Sequence, residues 1–339
     1  MDLPIIGISA GDPSGIGPEI TAKALANKDL YDLCKPLVIC DPWIIQEIVA
    51  ICNLGLAINI VDDPNSGKYI YGTIDVININ FVDQVNFEFN KVSSRYGKAS
   101  FKYVEKVIEL ALQGSIDATV TGPISKESIQ LAGFKYAGHT EIFAEYTHTK
   151  NYSMLLADGD FRVAHVSTHV SLRQAIEKVR KQRVYDVICL CDMALKRIGV
   201  SKPRIAVAGL NPHAGENGLF GNEDFDEILP AVELAQSEGV DVDGPHPADT
   251  IFPKMKGGQY DVVVCMYHDQ GHIPTKLLAF DYDHNIGRWK GLSGVNITLG
   301  LPIIRVSVDH GVAFDKGGKN EANEESMVNA IKYAISFSK

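Results

Sequence analysis

Short apolar runs alternate along the chain with polar stretches that open on glycine, proline or a hydrogen-bonding side chain. The runs are rich in Val, Ile and Ala, which is typical of buried strands. Between them, longer segments space apolar residues three and four apart, as at Phe101, Val104 and Ile108, which is typical of amphipathic helices. The alternation predicts an α/β chain with a largely parallel sheet or sheets.

The individual elements follow from the same pattern. Strands are predicted at residues 4–10, 37–40, 74–79, 118–121, 154–157, 162–166, 205–210, 262–266 and 302–306. Helices are predicted at residues 95–113, 184–198 and 225–237 and from about residue 324 onward. Residues 280–291 are polar and aromatic without periodicity, which predicts an exposed loop that either carries specificity or is a decorative insertion.

The composition is normal for a soluble globular enzyme. With 339 residues, 45% of them hydrophobic, it is long enough for one large or two packed domains. The formal net charge of -10 argues against nucleic acid or an anionic membrane surface as the main partner. A small anionic ligand bound by a few local cations remains compatible with that charge.

The six cysteines show neither a CxxC pair nor a zinc-ribbon spacing, so we expect reduced thiols and a cytoplasmic protein. The N-terminal residues lack a basic segment followed by a long apolar core, so no signal peptide is expected. No apolar run approaches the ~18 residues of a membrane span.

A glycine-rich loop connects the first predicted strand to a helix that starts at Pro18. Such a loop can offer backbone N–H groups to an anion, which makes Gly11 and Asp12 candidate cofactor-binding residues. It is not a P-loop, and Ile20 stands where GxGxxG requires its third glycine. A tight turn without ligand is an equally good interpretation.

Three histidines follow apolar runs: His169, His213 and His268. Carboxyl ends of parallel strands share one edge of a sheet, where ligands bind in open α/β folds. Imidazoles gathered at that edge suit a borderline divalent metal with a position left open for substrate. The alternative is three separate histidines, each satisfied by local hydrogen bonds, because no short-range metal motif is present.

A second group of residues suits a phosphate or carboxylate. His139 and Thr140 open a predicted helix, Arg305 closes a predicted strand, and Lys276 and Asn296 complete the set. For Lys276 taken alone, an ordinary surface salt bridge is the alternative.

The remaining candidates are acids and further histidines. Asp249 and Asp269 could accept a proton or orient a metal-bound histidine. His165 and His310 are either packing residues or, in the case of His310, a neighbour of the cofactor.

Eight motifs in co-linear order give the chain a resemblance to the 4-hydroxythreonine-4-phosphate dehydrogenase family of pyridoxal phosphate biosynthesis. They are Gly-Asp-Pro-Ser-Gly-Ile-Gly-Pro-Glu-Ile from Gly11, Thr-Gly-Pro-Ile-Ser-Lys from Thr121, Gly-His-Thr-Glu from Gly138, Ser-Thr-His from Ser167, Asn-Pro-His-Ala-Gly-Glu-Asn-Gly from Asn211, Tyr-His-Asp-Gln-Gly-His-Ile-Pro from Tyr267, Gly-Val-Asn-Ile-Thr-Leu-Gly-Leu-Pro-Ile-Ile-Arg from Gly294 and Val-Asp-His-Gly from Val308.

The resemblance implies a two-domain fold like that of isocitrate and isopropylmalate dehydrogenases, with the active site in an interdomain cleft. By analogy, residues 1–130 with 300–339 form one domain, and residues 131–299 form the domain of the metal and dimer contacts. The family is a homodimer whose metal (Zn, Mg, Mn or Co) is held by three histidines, one of them from the partner subunit. The matching positions are His169, His213 and His268.

The family's substrate contacts fall on His139, Thr140, Lys276, Asn296 and Arg305. NAD or NADP binds without a GxGxxG loop in this family, so the cofactor residues stay open, with Gly11, Asp12 and His310 as candidates. Asp249, Asp269 and Lys276 are the candidates for proton transfer.

Two runs, Gly-Glu-Asn-Gly-Leu-Phe-Gly from Gly215 and Gly-His-Ile-Pro from Gly271, are most similar to the branch that oxidises 4-phospho-D-threonate or 4-phospho-D-erythronate. The resulting 3-keto acid then loses carbon dioxide to give dihydroxyacetone phosphate. The vitamin-pathway branch more often carries a bulkier apolar residue at the position of His272. Extra residues at 281–293, between Lys276 and Asn296, depart from both branches.

Three other functions stay open. The first is oxidation of 4-phosphooxy-L-threonine to 3-amino-2-oxopropyl phosphate in vitamin B6 synthesis. The second is oxidation of a non-phosphorylated aromatic cis-dihydrodiol, which the retained cations disfavour. The third is a non-catalytic metabolite-binding protein, which the intact histidines and Lys276 disfavour.

Overall fold

The computed structural model describes residues 2–284 and 288–339, with the backbone alone at 281–283 and 288–292. The chain divides into two compact units. Unit 1 comprises the residues up to Thr149 together with Leu301–Ser338, and unit 2 comprises Lys150–Gly300. His139 and Thr140 therefore belong to unit 1.

The strands of the described chain are β1 Ile5–Ser9, β2 Lys35–Cys40, β3 Ala57–Val61, β4 Thr73–Asn78, β5 Ala118–Thr121, β6 Ser153–Asp158, β7 Phe161–His165, β8 Ile205–Ala208, β9 Val242–His246, β10 Val262–Cys265, β11 Phe280–Asp283, β12 Arg288–Leu292, β13 Val295–Leu299 and β14 Arg305–Val308.

The α-helices are α1 Gly17–Ala24, α2 Pro42–Ile51, α3 Ser94–Leu112, α4 Lys126–Leu131, α5 His139–Tyr146, α6 Leu172–Lys178, α7 Lys181–Arg197, α8 Leu229–Ser237, α9 Ala248–Lys256, α10 His268–Ala279 and α11 Glu325–Ser338. Short 3-10 turns lie at Lys28–Asp32 and Pro64–Ser66, an irregular turn at Pro212–Gly218, and a π-helical turn at Asp224–Ile228. Within the described chain, no helix combines the length and apolarity that crossing a bilayer requires.

The strands of unit 1 form a parallel sheet in the order β3-β4-β2-β1-β5-β14. Its central strands are buried except at the first residues of β1 and β2, and the side chains of β5 are all buried. Such uninterrupted burial is typical of parallel sheets covered by helices on both faces. The amphipathic helix α3 starts at the N-cap Ser93, whose side chain accepts a hydrogen bond from the N–H of Arg95.

The strands of unit 2 follow the order β13-β6-β7-β10-β8-β9. β6 is antiparallel to both of its neighbours, whereas β7, β10, β8 and β9 run parallel. β10, with the sequence Val-Val-Val-Cys, is buried at every position. The hydrophobic core of unit 2 contains residues of β10 together with residues from β6, β7, β8 and α9. The latter are Met154, Leu156, Phe161, Val163, Ala206, Ala208, Ile251 and Met255.

The α/β prediction with largely parallel strands is confirmed. Five strands were missed: β3 and β9, which lie at the two ends of the strand order, β13, and the pair β11 and β12. The strand predicted at 302–306 was wrong in position, because β14 begins at Arg305, after Pro302, which has no N–H for the ladder. Arg305 consequently opens this strand and does not close it.

The prediction of an exposed loop at 280–291 was also wrong for its backbone. β11 and β12 pair as an antiparallel hairpin in which Tyr282 stands opposite Trp289. Aromatic residues are enriched in strands, and the segment contains several, although its apolar residues do not alternate regularly. Residues 285–287 of the predicted loop lie outside the described residues.

Candidate functional site

Three neighbouring parallel strands of unit 2 each lead into a segment that carries a histidine. His169 follows β7, His268 follows β10 directly, and His213 follows β8. β10 pairs with both of the others in parallel, so all three carboxyl ends lie at one edge of the sheet.

Two of these histidines face each other across a cavity of about 340 Å³. The ring centroids of His169 and His268 are 5.9 Å apart. Two imidazoles that share one ion through metal–nitrogen bonds of about 2.0–2.1 Å place their centroids roughly 5–6 Å apart, so the pair fits a divalent cation. The cavity is lined by Thr168, His169, Val170, Leu172, Ala175, Tyr267, His268 and Asp269.

Asp269 determines which nitrogen of His268 is available. The Oδ1 atom of Asp269 lies 2.7 Å from Nδ1 of His268, and a carboxylate in this position accepts the Nδ1 hydrogen. The Nε2 atom then keeps its lone pair, as in the carboxylate–histidine arrangements that orient metal ligands. Asp249, by contrast, is exposed in the first turn of α9 and is not among the residues that line the cavity.

Two further histidines pack behind His268. The ring of His272 stacks on that of His268, with centroids 3.5 Å apart. Its Nδ1 atom lies 3.2 Å from Nε2 of the buried His165. Burial, reinforced by the neighbouring histidines, lowers the pKa of His272 to about 3. Burial likewise lowers the pKa of His165 to about 4, so both rings are neutral at pH 7.

His213 does not join the pair within one chain. Among the side chains that the structure describes, no three His, Cys, Asp or Glu residues converge on one metal position. The side chain of His213 is exposed, with Nδ1 3.4 Å from Oε2 of Glu216. Its backbone and those of the next four residues have φ between 43° and 84°, a left-handed turn that L-residues other than glycine rarely adopt.

The buried Asp224 holds the start of this turn. Its Oδ1 accepts from the N–H of Leu210 at 2.8 Å, and its Oδ2 accepts from the backbone N–H and the side-chain amide of Asn211 at 3.1 and 2.9 Å. Three charge-assisted hydrogen bonds to one carboxylate stabilise an unfavourable backbone, and such strain is common at functional sites.

Lys276 lies two turns beyond His268 on α10. Residues four apart on a helix share a face, so His268, His272 and Lys276 form one stripe. The Nζ atom of Lys276 lies 4.7 Å above the ring centroid of Phe280. Asn296 is in β13, opposite Leu156 of β6. Both residues therefore belong to unit 2.

A cavity in unit 1 has the properties of an anion site. Its volume is about 180 Å³, and the start of α5 opens onto it through Gly138 and His139. The first N–H groups of α5, like those of any α-helix, have no intrahelical acceptor, and Gly138 provides no side chain to cap them. The other lining residues come from the ends of β5 and β14 and from the loops beyond them: Thr121, Gly122, Pro123, Ile124, Lys126, Ser307, Val308, His310 and Gly311.

Arg305 gives this region a buried cation. The guanidinium donates from Nη2 to Oγ1 of Thr121 at 3.2 Å and lies 5.7 Å from the ring centroid of Phe143. Burial lowers the pKa of Arg305 to about 9, and Glu141 opposes that shift, so the group is charged at pH 7. A buried guanidinium can make strong hydrogen bonds to a phosphate or carboxylate.

His139 is neutral in this setting. Its own burial and the nearby Arg305 hold the pKa of His139 well below its usual range. Its Nε2 atom is buried without a hydrogen-bond partner among the described residues. A buried ring nitrogen in that state is available for a ligand.

The loop that contains Gly11 and Asp12 is tightly packed. The N–H of Asp12 donates to Pro123 O at 2.8 Å, and a Cβ at Gly11, where φ is +81°, would collide with that same oxygen. Burial raises the pKa of the Asp12 carboxyl to about 6. Backbone packing thus accounts for Gly11, and the assignment of both residues to cofactor binding stays a prediction. His310, the third cofactor candidate, lines the unit 1 cavity.

Sequence reasoning missed Lys126, His272, Asp224 and Gln270. Lys126 was marked by its place after β5, the same signal that picked out the histidines. Gln270 joins two of the three strand ends: its Oε1 accepts from Met266 N at 2.7 Å and its Nε2 donates to Gly209 O at 2.8 Å. No sequence signal marks Asp224, because its partners lie 13 to 14 positions away along the chain. The bond from Gln270 to Gly209 likewise spans 61 positions.

Comparisons with known proteins agree on one family. The family model described as "Pyridoxal phosphate biosynthetic protein PdxA" matches residues 32–334. A curated protein from Symbiobacterium thermophilum, named "Putative D-threonate 4-phosphate dehydrogenase", is 44% identical over 338 residues, covering 98% of each chain. A crystal structure of 4-hydroxythreonine-4-phosphate dehydrogenase from Klebsiella pneumoniae is 41% identical, with a TM-score of 0.88, covering 99% of this chain and 98% of that one.

A more distant likeness concerns the fold alone. A beta-decarboxylating dehydrogenase from Thermococcus kodakarensis is 13% identical, with a TM-score of 0.50, and covers 98% of this chain and 82% of that one. The predicted fold class, a two-domain α/β dehydrogenase fold, agrees with this likeness.

Proposed function

Because the chain belongs to the family of the pyridoxal phosphate biosynthetic protein PdxA, we propose that it is a dehydrogenase of a 4-phosphorylated 3-hydroxy acid. The substrate proposed is 4-phospho-D-threonate or 4-phospho-D-erythronate, in keeping with the name of the relative from Symbiobacterium thermophilum. Oxidation at C3 gives a 3-keto acid, which loses carbon dioxide to form dihydroxyacetone phosphate. NAD or NADP takes up the two electrons.

The observation that carries this proposal is the buried Arg305 beside the neutral His139. A substrate phosphate or carboxylate would receive charge from Arg305, a hydrogen bond from His139 and N–H groups from the start of α5. An uncharged dihydrodiol could not form an ion pair with Arg305, whereas a phosphate or carboxylate could. Thr140, in the same helical turn, is proposed as a further substrate contact.

His169, His213 and His268 are proposed as the residues that hold a divalent cation. The 5.9 Å separation of two of the rings and the Asp269 contact to His268 support this assignment. A cation there would lower the pKa of the substrate hydroxyl and stabilise negative charge on its oxygen as the carbonyl forms. We propose that Asp269 orients His268, and that Lys276 or Asp249 takes the proton, with Asn296 as a substrate contact.

A homodimer would complete the ligand set. Within one chain His213 stands apart from His169 and His268, which suits a site that a second copy completes. Large apolar side chains are exposed on unit 2, among them Leu219, Ile273 and Leu277, the last at 79% exposure. Exposed apolar groups of this kind are typical of interaction surfaces.

The second candidate is oxidation of 4-phosphooxy-L-threonine in vitamin B6 synthesis. It is favoured by the solved relative from Klebsiella pneumoniae, whose title names that activity. Phosphooxythreonine carries an amine at C2, whereas the D-acids carry a hydroxyl there. The residues that contact C2 must therefore differ between the two activities, while the phosphate contacts can be the same.

The deciding experiment is reduction of NAD or NADP with 4-phospho-D-threonate, 4-phospho-D-erythronate and 4-phosphooxy-L-threonine in parallel, with and without chelator. The proposal expects turnover of the D-acids and its loss with chelator. Turnover of phosphooxythreonine alone selects the second candidate. No turnover of any phosphorylated acid overturns both.

Two sets of variants test the residue roles. Arg305→Lys keeps the positive charge but loses the planar guanidinium, which can donate two hydrogen bonds to one anion. We expect kcat/KM to fall about 100-fold or more, chiefly through KM. The matched control is Arg204→Lys, because Arg204 is an exposed partner of Asp261.

His213→Ala should lose metal and activity. Mixing it with His268→Ala subunits should restore about a quarter of the activity if each site draws on both chains.

A further inference from the structure

His272 lies one helical turn after His268 and covers one face of its ring. The two rings are 3.5 Å apart between centroids and inclined by 13°. On a helix the i and i+4 side chains are neighbours, so the spacing of four residues produces this stack. The stack restricts rotation of the His268 ring about its χ2 bond.

The orientation of His272 is itself fixed by hydrogen bonds. Its Nδ1 lies 3.0 Å from the carbonyl oxygen of His268 and 3.2 Å from Nε2 of His165. The Nδ1 of His165 in turn lies 3.3 Å from the carbonyl oxygen of Met154. Carbonyl oxygens only accept, so both Nδ1 atoms carry hydrogen, and Nε2 of His165 is the second acceptor for His272.

Gly271 permits this arrangement. A Cβ atom at position 271 would lie 2.5 Å from Nε2 of His165 and 3.0 Å from Sγ of Cys265. Only a glycine allows α10 to approach β7 closely enough for His165 and His272 to meet. The helix, the glycine and the buried histidine thus form one support behind His268.

We propose that His272 is a positioning residue, which fixes the imidazole of His268 by stacking so that its Nε2 stays directed at the proposed metal position. We do not propose His272 as a ligand, because the two rings are stacked and nearly parallel, so their in-plane nitrogen lone pairs do not converge on one point. The inference rests on the proposed function for its consequence, but the support of the ring is a property of the chain alone.

The first test needs no metal. NMR relaxation of the His268 ring, assigned by the signal lost in His268→Asn, reports ring motion on the ps–ns timescale. We expect a rigid ring in the wild type and a mobile one in His272→Leu. His272→Phe, which keeps an aromatic face but loses the Nδ1–H, should retain part of the rigidity. The control is His246→Leu, another partly buried histidine of unit 2, which should leave the ring unchanged.

The second test measures Co²⁺ binding by absorbance and calorimetry. Loss of groups that orient a metal ligand typically costs 10- to 100-fold in affinity, and we expect His272→Leu to weaken the Kd by that factor and to alter the visible spectrum. His272→Phe should fall between His272→Leu and wild type. Circular dichroism checks that each variant folds, and where His272→Leu does not, His272→Phe and His272→Gln carry the comparison.

The outcomes separate the two proposals. A rigid His268 ring and unchanged Co²⁺ affinity in the folded variants overturn the positioning role of His272. A wild type that binds no Co²⁺ overturns the proposed metal site, while the relaxation measurements still decide whether His272 fixes the ring.

Discussion

Gln270 ties the carboxyl end of β10 to that of β8 through a hydrogen bond from its side-chain amide to the carbonyl oxygen of Gly209. The same side chain accepts from Met266 N, and it is only 8% exposed. Two strands that deliver proposed metal ligands are therefore held in register by one buried amide.

We predict that Gln270→Leu lowers the free energy of unfolding by roughly 2–4 kcal/mol, because it leaves a buried N–H and a buried carbonyl unsatisfied. Activity should fall more than stability alone explains, since the loops before His213 and His268 lose their connection. Urea unfolding and kcat measure the two effects. Gln182→Ala, on the exposed face of α7, is the control and should change neither.

Gly271→Ala should destabilise the protein although alanine is the better helix former. In an exposed helix interior the change would stabilise by up to about 1 kcal/mol. Here the added methyl group collides with His165, and overpacking of this kind costs about 1–3 kcal/mol. Thermal unfolding measures the difference, with Gly257→Ala as the control because its Cβ would meet nothing closer than 3.4 Å. An unchanged or raised Tm for Gly271→Ala would contradict the close approach of α10 to β7.

Asp224→Ala should release the left-handed turn that carries His213. The variant loses three hydrogen bonds to a buried carboxylate, and we expect a loss of about 3 kcal/mol in unfolding free energy. Limited proteolysis should become faster at residues 211–221. The control, Asp226→Ala, lies two residues away and is exposed, so equal protease sensitivity of the two variants would refute the role of Asp224.

The burial of Asp12 should make the free energy of unfolding depend on pH. Burial raises the folded-state pKa of Asp12 from 3.8 to about 6. The folded protein therefore binds a proton between pH 6 and pH 4 that the unfolded chain does not bind. The stabilisation from this group is complete below pH 3.8 and is lost as the pH rises through 6.

Asp12→Asn should consequently be more stable than wild type at pH 7, by up to roughly 3 kcal/mol for a shift of about two pKa units, with little difference near pH 4. Asparagine retains the Oδ1 acceptor for Ser14 N, so the turn should survive. Urea unfolding at pH 4, 5.5 and 7 tests this, with the exposed Asp29→Asn as control. A difference between Asp12→Asn and wild type that does not vary with pH would show that Asp12 does not titrate in this range.

The sequence was sufficient for elements whose pattern is local. β10 is a continuous apolar run and α3 has regular helical spacing, so both were predicted to within two residues. β9 was missed because it contains Gly244 and Pro245, which are disfavoured in strands and tolerated here at the end of the sheet.

The candidate site divides along the same line. The positions of His169, His213 and His268 after parallel strands followed from the order of apolar and polar segments. The support behind them did not, because His165 and His272 are 107 positions apart and meet only when β7 and α10 pack together. Such contacts depend on tertiary structure and leave no periodic trace in the sequence.

His268, His272 and Lys276 lie on one face of α10, so any rotation of this helix moves all three side chains together. Inserting one residue between Cys265 and His268 would turn the stripe by about 100° relative to β10 while leaving the helix itself intact. The proposed metal ligand His268, the supporting ring of His272 and the cation Lys276 would then all point away from the proposed site. Insertions and deletions in this short connection should therefore be far more damaging to the proposed catalysis than to folding, whereas the same length changes beyond Ala279 leave the stripe in place.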